Sequence, residues 1–382
     1  MILFFLIVLC ASSSLIIHTY VIYPAILFVL PKKKEDFNPV IQDVTVAMLI
    51  AAYNEEKVIE DKLNSVLNNI PARVKIDIYV GSDGSTDCTD EIIEALSKKH
   101  PNVHLLKFKG RSGKANIINN LSNDLTHEIF ILTDANVIFS KNTIEELLLP
   151  FQNEDIGLVC SNIIKIPSKQ SAVEKIEADY IQRENMIKLR ESDLWKIVLG
   201  AEGGCYAIRR VLFKPIPENF FMDDFFMTLN VLEQQKSIVF REKSICYEDI
   251  PENMSEEFKR KIRISIGNFQ NLIRFKKLLF KFNALAFAYW SHKVLRWLTP
   301  FFMILIFISL TYFSIYDLTI RCAFCLILGY TFLSLIIPNK KLFRVFNYTK
   351  HFIYMNIALF IGFIKFINGV QSSVWTPTAR NN

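Results

Sequence analysis

The segment TDAN, residues 133–136, ends an apolar run with a carboxylate and an amide, Asp134 and Asn136, one residue apart. Oxygen donors at that spacing can hold a hard divalent cation such as Mg²⁺ or Mn²⁺; the plainer alternative is a turn. Other groups could work with it. Lys114, in GRSGKA at 110–115, is a cation suited to phosphates, and Asp83, in SDGSTD at 82–87, is an acceptor for a base N–H. Asp223 and Asp224, in MDDF at 222–225, are adjacent acids whose plainer role is to cap a helix beginning at Phe225.

These groups need a frame. Apolar stretches at 44–50, 74–80, 103–108, 129–133 and 156–164 read as strands, and they alternate with helical periodicity at 55–69, 86–99, 114–121 and 143–151. In the first helix Val58, Leu63, Val66 and Leu67 share a face. The alternation predicts an α/β domain over 40–255, a mostly parallel, Rossmann-like sheet with helices on both faces. Such sheets bind ligands at the carboxyl ends of their strands. The polar clusters 53–55, 82–85, 113–114 and 134–136 follow four consecutive strands, so all four are expected on one rim. Two carboxylates and a lysine there suit a nucleotide. A P-loop is excluded by spacing: its first glycine would fall at Phe108, and Ala115 stands where Ser or Thr holds magnesium. The two-glycine dinucleotide fingerprint is also missing.

The chain has 382 residues, 51% of them hydrophobic and 32 of them Phe, and the apolar excess lies at the two ends. Residues 1–30 carry no charge and are followed by Lys32, Lys33 and Lys34. This predicts a retained membrane anchor over 1–31, with the following domain on the cytoplasmic side. A signal peptide is the alternative, but it lacks a basic leading region and a clear cleavage site. Uncharged stretches at 298–316 and 322–338 predict a transmembrane hairpin over 297–338, returned to the cytoplasm by Lys340, Lys341 and Arg344. Asn356, Lys365 and Asn368 interrupt the next apolar stretch, 351–370, within the last segment, 339–382. It reads as a helix lying at the interface, the alternative being a third crossing with Lys365 reaching for the headgroups. Net charge is +6, with basic residues gathered at 257–281. Amphipathic helices over 256–296 on a membrane lipid surface fit that pattern better than nucleic acid does. The seven cysteines show no CxxC pair and are expected to be reduced.

Six motifs in order, AAYNEE (51–56), SDGSTD (82–87), GKANIIN (113–119), TDAN (133–136), GAEGGCYAIRR (200–210) and MDDF (222–225), resemble those of family 2 glycosyltransferases of the GT-A fold. The membrane-bound branch with the cellulose, chitin, hyaluronan and poly-N-acetylglucosamine synthases is the most similar, and the resemblance covers about residues 44–275. It implies inverting transfer of a sugar from a nucleotide diphosphate sugar, usually a UDP-sugar, to a growing glycan; transfer of one or a few sugars to a lipid-linked acceptor is the alternative. By the family pattern Tyr53, Glu55 and Asp83 hold the nucleoside, Lys114 the phosphates, and Asp134 with Asn136 a divalent cation, Mg²⁺ or Mn²⁺. Asp224 becomes the general base, supported by Asp223, and Gly203, Gly204 and Cys205 the floor under the acceptor. The family's metal motif is commonly Asp-x-Asp; Asn136 supplies a neutral oxygen, so more of the charge must come from the diphosphate.

The family's Gln-x-x-Arg-Trp falls on Arg260, Arg263 and Ile264. Arg263 is placed to bind the leaving diphosphate, but the aromatic platform is missing at Ile264, which bears on processive synthesis and not on transfer. Phe269 is then a candidate for the acceptor entrance. The tail VWTPTAR, 374–380, resembles the Trp-x-x-Arg tail of hyaluronan synthases and adds Trp375 and Arg380 near the donor and acceptor; an ordinary polar tail with an interface Trp is the alternative. The resemblance implies a multi-pass plasma (inner) membrane protein. Four helices make a thin channel, so a homodimer or an export partner subunit is expected.

Overall fold

The computed structural model describes residues 1–32, 37, 43–166, 172–249, 254–337 and 344–369. Trp375 and Arg380 lie outside the described residues, as do Lys33, Lys34, Lys340 and Lys341. The chain divides into two compact units, residues 31–168, 181–250 and 370–382 forming one, and residues 1–30, 169–180 and 251–369 the other.

The first unit is built on an eight-stranded sheet. Its strands are β1 (Val44–Ala52), β2 (Val74–Ser82), β3 (Val103–Lys107), β4 (Ile129–Thr133), β5 (Ile138–Phe139), β6 (Ile156–Ile166), β7 (Cys205–Arg209) and β8 (Ser237–Asp249), in the order β3-β2-β1-β4-β7-β6-β8-β5. The four strands read from the sequence as one rim, β1 to β4, are mutually parallel neighbours. Every residue of β4 is buried, as expected of a strand covered on both faces. Helix Ile59–Leu67 lays Ile59, Leu63 and Val66 onto the core that also contains Met48, Ile50, Ile78 and Ile131.

The sheet departs from the simple alternation at β7. That strand runs antiparallel to β4, pairing Thr133 with Cys205 and Ile129 with Arg209. An antiparallel strand begins where its parallel neighbour ends. Gly203 and Gly204, just before β7, are therefore carried to the same rim as Asp134. The sheet is thus mostly parallel in its first half and mixed in its second, where β6 pairs antiparallel with β7 and parallel with β8.

The second unit is helical. Among the described residues four helical runs, Ile2–Val29, Ala284–Tyr316, Leu318–Ile336 and Val345–Ile367, are long and apolar enough to cross a membrane. The second begins at Ala284, ahead of the boundary at 296 expected from the sequence, because a π-turn at Tyr289–Val294 continues the helix instead of ending it. Of the stretch at 351–370, open between lying and crossing, residues 351–367 are part of one helix, Arg344–Ile367. It packs against helix Met254–Arg274, where Gly362 faces Ser265 so closely that a Cβ would fall within 2.3 Å of the serine Cβ. Phe269 is buried there, in ring contact with Phe363 and Phe366. It is a packing residue between helices and does not line an entrance.

Candidate active site

On the β1–β2 side of the rim, Asp83 is almost fully buried and both of its oxygens are taken. Oδ1 accepts from the Ser112 amide at 2.6 Å and hydroxyl at 2.9 Å; Oδ2 accepts from the Gly113 amide at 3.0 Å and Arg111 Nε at 3.2 Å. A carboxylate has about four lone-pair positions, and all are filled. Asp83, read from the sequence as an acceptor for a base, thus also clamps the loop leading to Lys114. The clamp needs close backbone approach. Gly84 has φ +73°, and a Cβ on it would meet the Gly110 carbonyl oxygen at 2.8 Å. Arg111 lies over the Tyr53 ring, 3.3 Å from its centroid, a cation–π contact worth about 0.5–2 kcal/mol. Glu55 is buried; its amide donates to Thr89 Oγ1 at 2.8 Å, and its carbonyl accepts from Val58 and Ile59 as the next helix begins.

On the β4–β7 side the charges are not matched. Lys114, at the start of helix Lys114–Ser122, places Nζ 2.8 Å from Asp134 Oδ1 and 3.3 Å from Asp223 Oδ2. Burial alone would lower its pKa, but Asp134 and Asp223 hold it well above the ordinary lysine value. Asp224 stands next to this pair: a Cβ on Gly203 would lie 3.1 Å from Asp224 Oδ2 and 3.5 Å from Lys114 Nζ. A side chain at this position would crowd the acid pair where the backbone passes it. Burial, then the charge of Asp223, push the Asp224 carboxyl up to about 7, against the pull of Lys114 and the Phe225 amide. Helix Asp223–Glu233 starts at Asp223, two residues before Phe225, with Met222 as its N-cap, so both acids sit in its first turn. Asp224 Oδ1 accepts from the Phe225 amide at 2.7 Å.

Asp134 and Asn136 are both half-buried. Their turn is fixed to β7, the Asp134 amide and Thr133 hydroxyl donating to the Gly204 carbonyl at 3.1 and 2.7 Å. Among the described residues no three His, Cys, Asp or Glu side chains are grouped to hold a metal alone. The carboxylate and amide fit a hard cation that takes its other oxygens from water and phosphate.

Residues 48–216 match the sequence profile of glycosyl transferase family 2. The chain carries a family 2 glycosyltransferase domain. It is similar to the poly-β-1,6-N-acetyl-D-glucosamine synthase of Staphylococcus epidermidis, 24% identical over 270 residues, which is 66% of this chain and 64% of that protein. It is also similar to the probable glycosyltransferase YdaM of Bacillus subtilis, 23% identical over 263 residues, 66% of this chain and 61% of that one. The match thus spans less than two thirds of the length of either relative. A mannosyltransferase, PcManGT from Pyrobaculum calidifontis, solved in complex with GDP-Man and Mn²⁺, superposes over 94% of this chain and 99% of its own with a TM-score of 0.70 at 18% identity. The sheet of the glycosyltransferase domain is accordingly of the GT-A type.

Within this domain the structure brings Lys114, Asp134, Asp223, Asp224 and Gly203 together, with Gly204 beneath them. Cys205 differs from its two neighbours. It is fully buried, so the space at the floor belongs to Gly203 and not to the cysteine. Arg263 lies on helix Met254–Arg274 of the helical unit, half-buried, and neighbouring Arg260 pairs with Glu257 at 3.3 Å. Sequence reasoning missed Arg111, Lys188, Tyr206 and Lys62. Lys188 is buried and pairs with Glu202 at 3.1 Å, beside Gly203. Tyr206 is fully buried on β7, and burial with the charges of Asp223, Asp224 and Asp134 keeps its hydroxyl protonated. Lys62 had a signal: it occupies an apolar-face position between Ile59 and Leu63.

Proposed function

We propose that the protein is an inverting glycosyltransferase that moves a sugar from a UDP-sugar, a UDP-hexose or UDP-N-acetylhexosamine, to a growing glycan at a membrane. The observation that carries this reading is the cluster in which Lys114 touches Asp134 and Asp223 while Asp224, its carboxyl raised to about 7, lies alongside. A single displacement needs a base for the acceptor hydroxyl and positive charge for the leaving diphosphate. Asp224 is the base: a carboxyl poised near neutrality accepts a proton well while still ionised at physiological pH. Asp223 keeps it poised by like charge. Lys114 receives the diphosphate, and Tyr53 with Arg111 and Glu55 forms the nucleoside side, fixed by Asp83.

Asp134 and Asn136 hold a divalent cation, Mg²⁺ or Mn²⁺. When bound, that cation neutralises charge developing on the diphosphate. With only one protein carboxylate on the turn, cation and donor bind as a pair. Gly203 lets the acceptor approach Asp224 without a side chain between them.

The helices long enough to cross a membrane, and the similarity to a polysaccharide synthase, support placement in the plasma membrane with the glycosyltransferase domain on the cytoplasmic side, and support polymer synthesis. Ile264, standing where an aromatic platform is expected, favours a second reading: transfer of one or a few sugars to a lipid-linked acceptor. The purified full chain, incubated with labelled UDP-sugars and Mn²⁺ in lipid, separates the two. Long polymer from one donor supports synthesis, and a single shifted lipid band supports the second reading. Absence of both transfer and donor hydrolysis with every UDP-sugar overturns the enzymatic proposal and leaves a scaffold in a glycan assembly complex.

A further inference from the structure

Lys62 is fully buried in helix Ile59–Leu67. Burying an ammonium costs several kcal/mol unless it is well bonded, so its surroundings are informative. Nζ donates to Thr133 Oγ1 at 2.8 Å and to the Val137 carbonyl at 2.6 Å, and it lies 3.9 Å from the centre of the Phe139 ring. Those two oxygens are the two ends of the turn that carries Asp134 and Asn136. The Thr133 hydroxyl, accepting from Lys62, passes its own proton to the Gly204 carbonyl at 2.7 Å, and the Asp134 amide donates to the same carbonyl. One ammonium therefore ties a helix behind the sheet to both ends of the turn, and through Thr133 to the glycines under the acid pair.

We infer that Lys62 is a positioning residue that sets the separation and direction of the Asp134 and Asn136 oxygens, and hence the affinity of the site for a divalent cation bound with the donor diphosphate. The inference rests on the reading of the site as a cation and nucleotide-sugar site. The groups facing Lys62 agree with a role beyond packing. Burial lowers its pKa to about 8, opposed by Cys205, Cys246 and, after them, Asp134 of the turn. An apolar residue would satisfy the packing here, whereas no apolar residue could hold Thr133 and Val137 together. Removing a group that orients a metal-binding side chain commonly weakens metal affinity by about 10–100-fold.

The test uses the full-length protein in lipid nanodiscs, with Mn²⁺ binding followed by electron paramagnetic resonance in the presence of UDP. Lys62→Met is expected to weaken Mn²⁺ binding by about tenfold or more, with folding of the variant checked by its melting temperature. Thr133→Val, which removes both the acceptor for Lys62 and the link to Gly204, keeps the idea testable should Lys62→Met fail to fold; it is expected to weaken Mn²⁺ binding in the same direction. UDP binding without metal is expected to be unchanged in both. Mn²⁺ affinity equal to the parent's in a folded variant overturns the inference and makes Lys62 a packing residue. A parent protein that binds no Mn²⁺ with UDP overturns the inference together with the reading it rests on.

Discussion

On the β1–β2 side of the rim Asp83 accepts from four donors within one loop, and Arg111 covers Tyr53. On the β4–β7 side Lys114 faces Asp134, Asp223 and Asp224, with a weaker pull on Asp224 from Lys188. Both sides use aspartate beside a cation, but one side is satisfied within the fold and the other carries excess negative charge. A satisfied carboxylate is a structural clamp, since its acceptor positions are spent. An unmatched cluster raises proton affinity and attracts a cation, and it is where perturbed groups and function coincide. The comparison assigns placement of the nucleoside loop to the first side and chemistry to the second.

The strongest way to break that division is Asp224→Asn. It removes the proton acceptor while keeping the shape, and transfer is expected to fall by about 10²–10⁴-fold. UDP and Mn²⁺ binding, measured calorimetrically, should stay close to the parent's. Lost nucleotide binding would place Asp224 on the donor instead of the acceptor. Next in size is the pair Asp134→Asn and Asn136→Asp. The first removes the one carboxylate of the turn and is expected to abolish metal-dependent transfer; the second adds charge, should retain activity and should lower the Mn²⁺ concentration needed. Small and equal effects from both would return the segment to being a turn.

The four rim clusters were legible because parallel strands send their carboxyl ends to one edge, and β1 to β4 obey that rule. The second half of the sheet was not legible. Nothing in the five residues of β7 announces its direction, yet that direction brings Gly203 to Asp224. Asp83 was placed on the right edge, but its part in clamping the loop was not read, because its four donors come from residues 111–113, nearly thirty positions away in the chain. Lys62 was invisible for the opposite reason: a lysine in a helix is read as surface, and only its place in an apolar stripe contradicts that. The acid pair was found as a pair, while its raised proton affinity depends on burial by groups distant in sequence.

That raised affinity gives a pH test of the same comparison. Asp224 must be ionised to act as a base, so with its carboxyl pushed up to about 7 the rate should fall as pH drops through that value, about tenfold per unit below it. Since the charge of Asp223 contributes to the rise, Asp223→Asn should move the acid limb of kcat to lower pH. A limb unmoved by that substitution would mean burial alone sets it.

The smallest expected effect is on the satisfied side. Arg111→Ala removes one of the four bonds to Asp83 and uncovers the Tyr53 ring, while the Ser112 and Gly113 amides keep the loop attached. A charge-assisted bond and a cation–π contact are each worth about 1–2 kcal/mol in partly buried settings. Both contacts are internal to the loop and only part of their loss reaches the nucleotide, so UDP affinity should fall by roughly tenfold with kcat little changed, which steady-state kinetics would show as a raised KM for the donor. If kcat fell with it, loop placement and Lys114 placement would be one event, since Gly113, bonded to Asp83, immediately precedes Lys114. The satisfied side would then be coupled to the charged side through a single peptide unit, and the division between clamp and chemistry would hold for the residues but not for the rate.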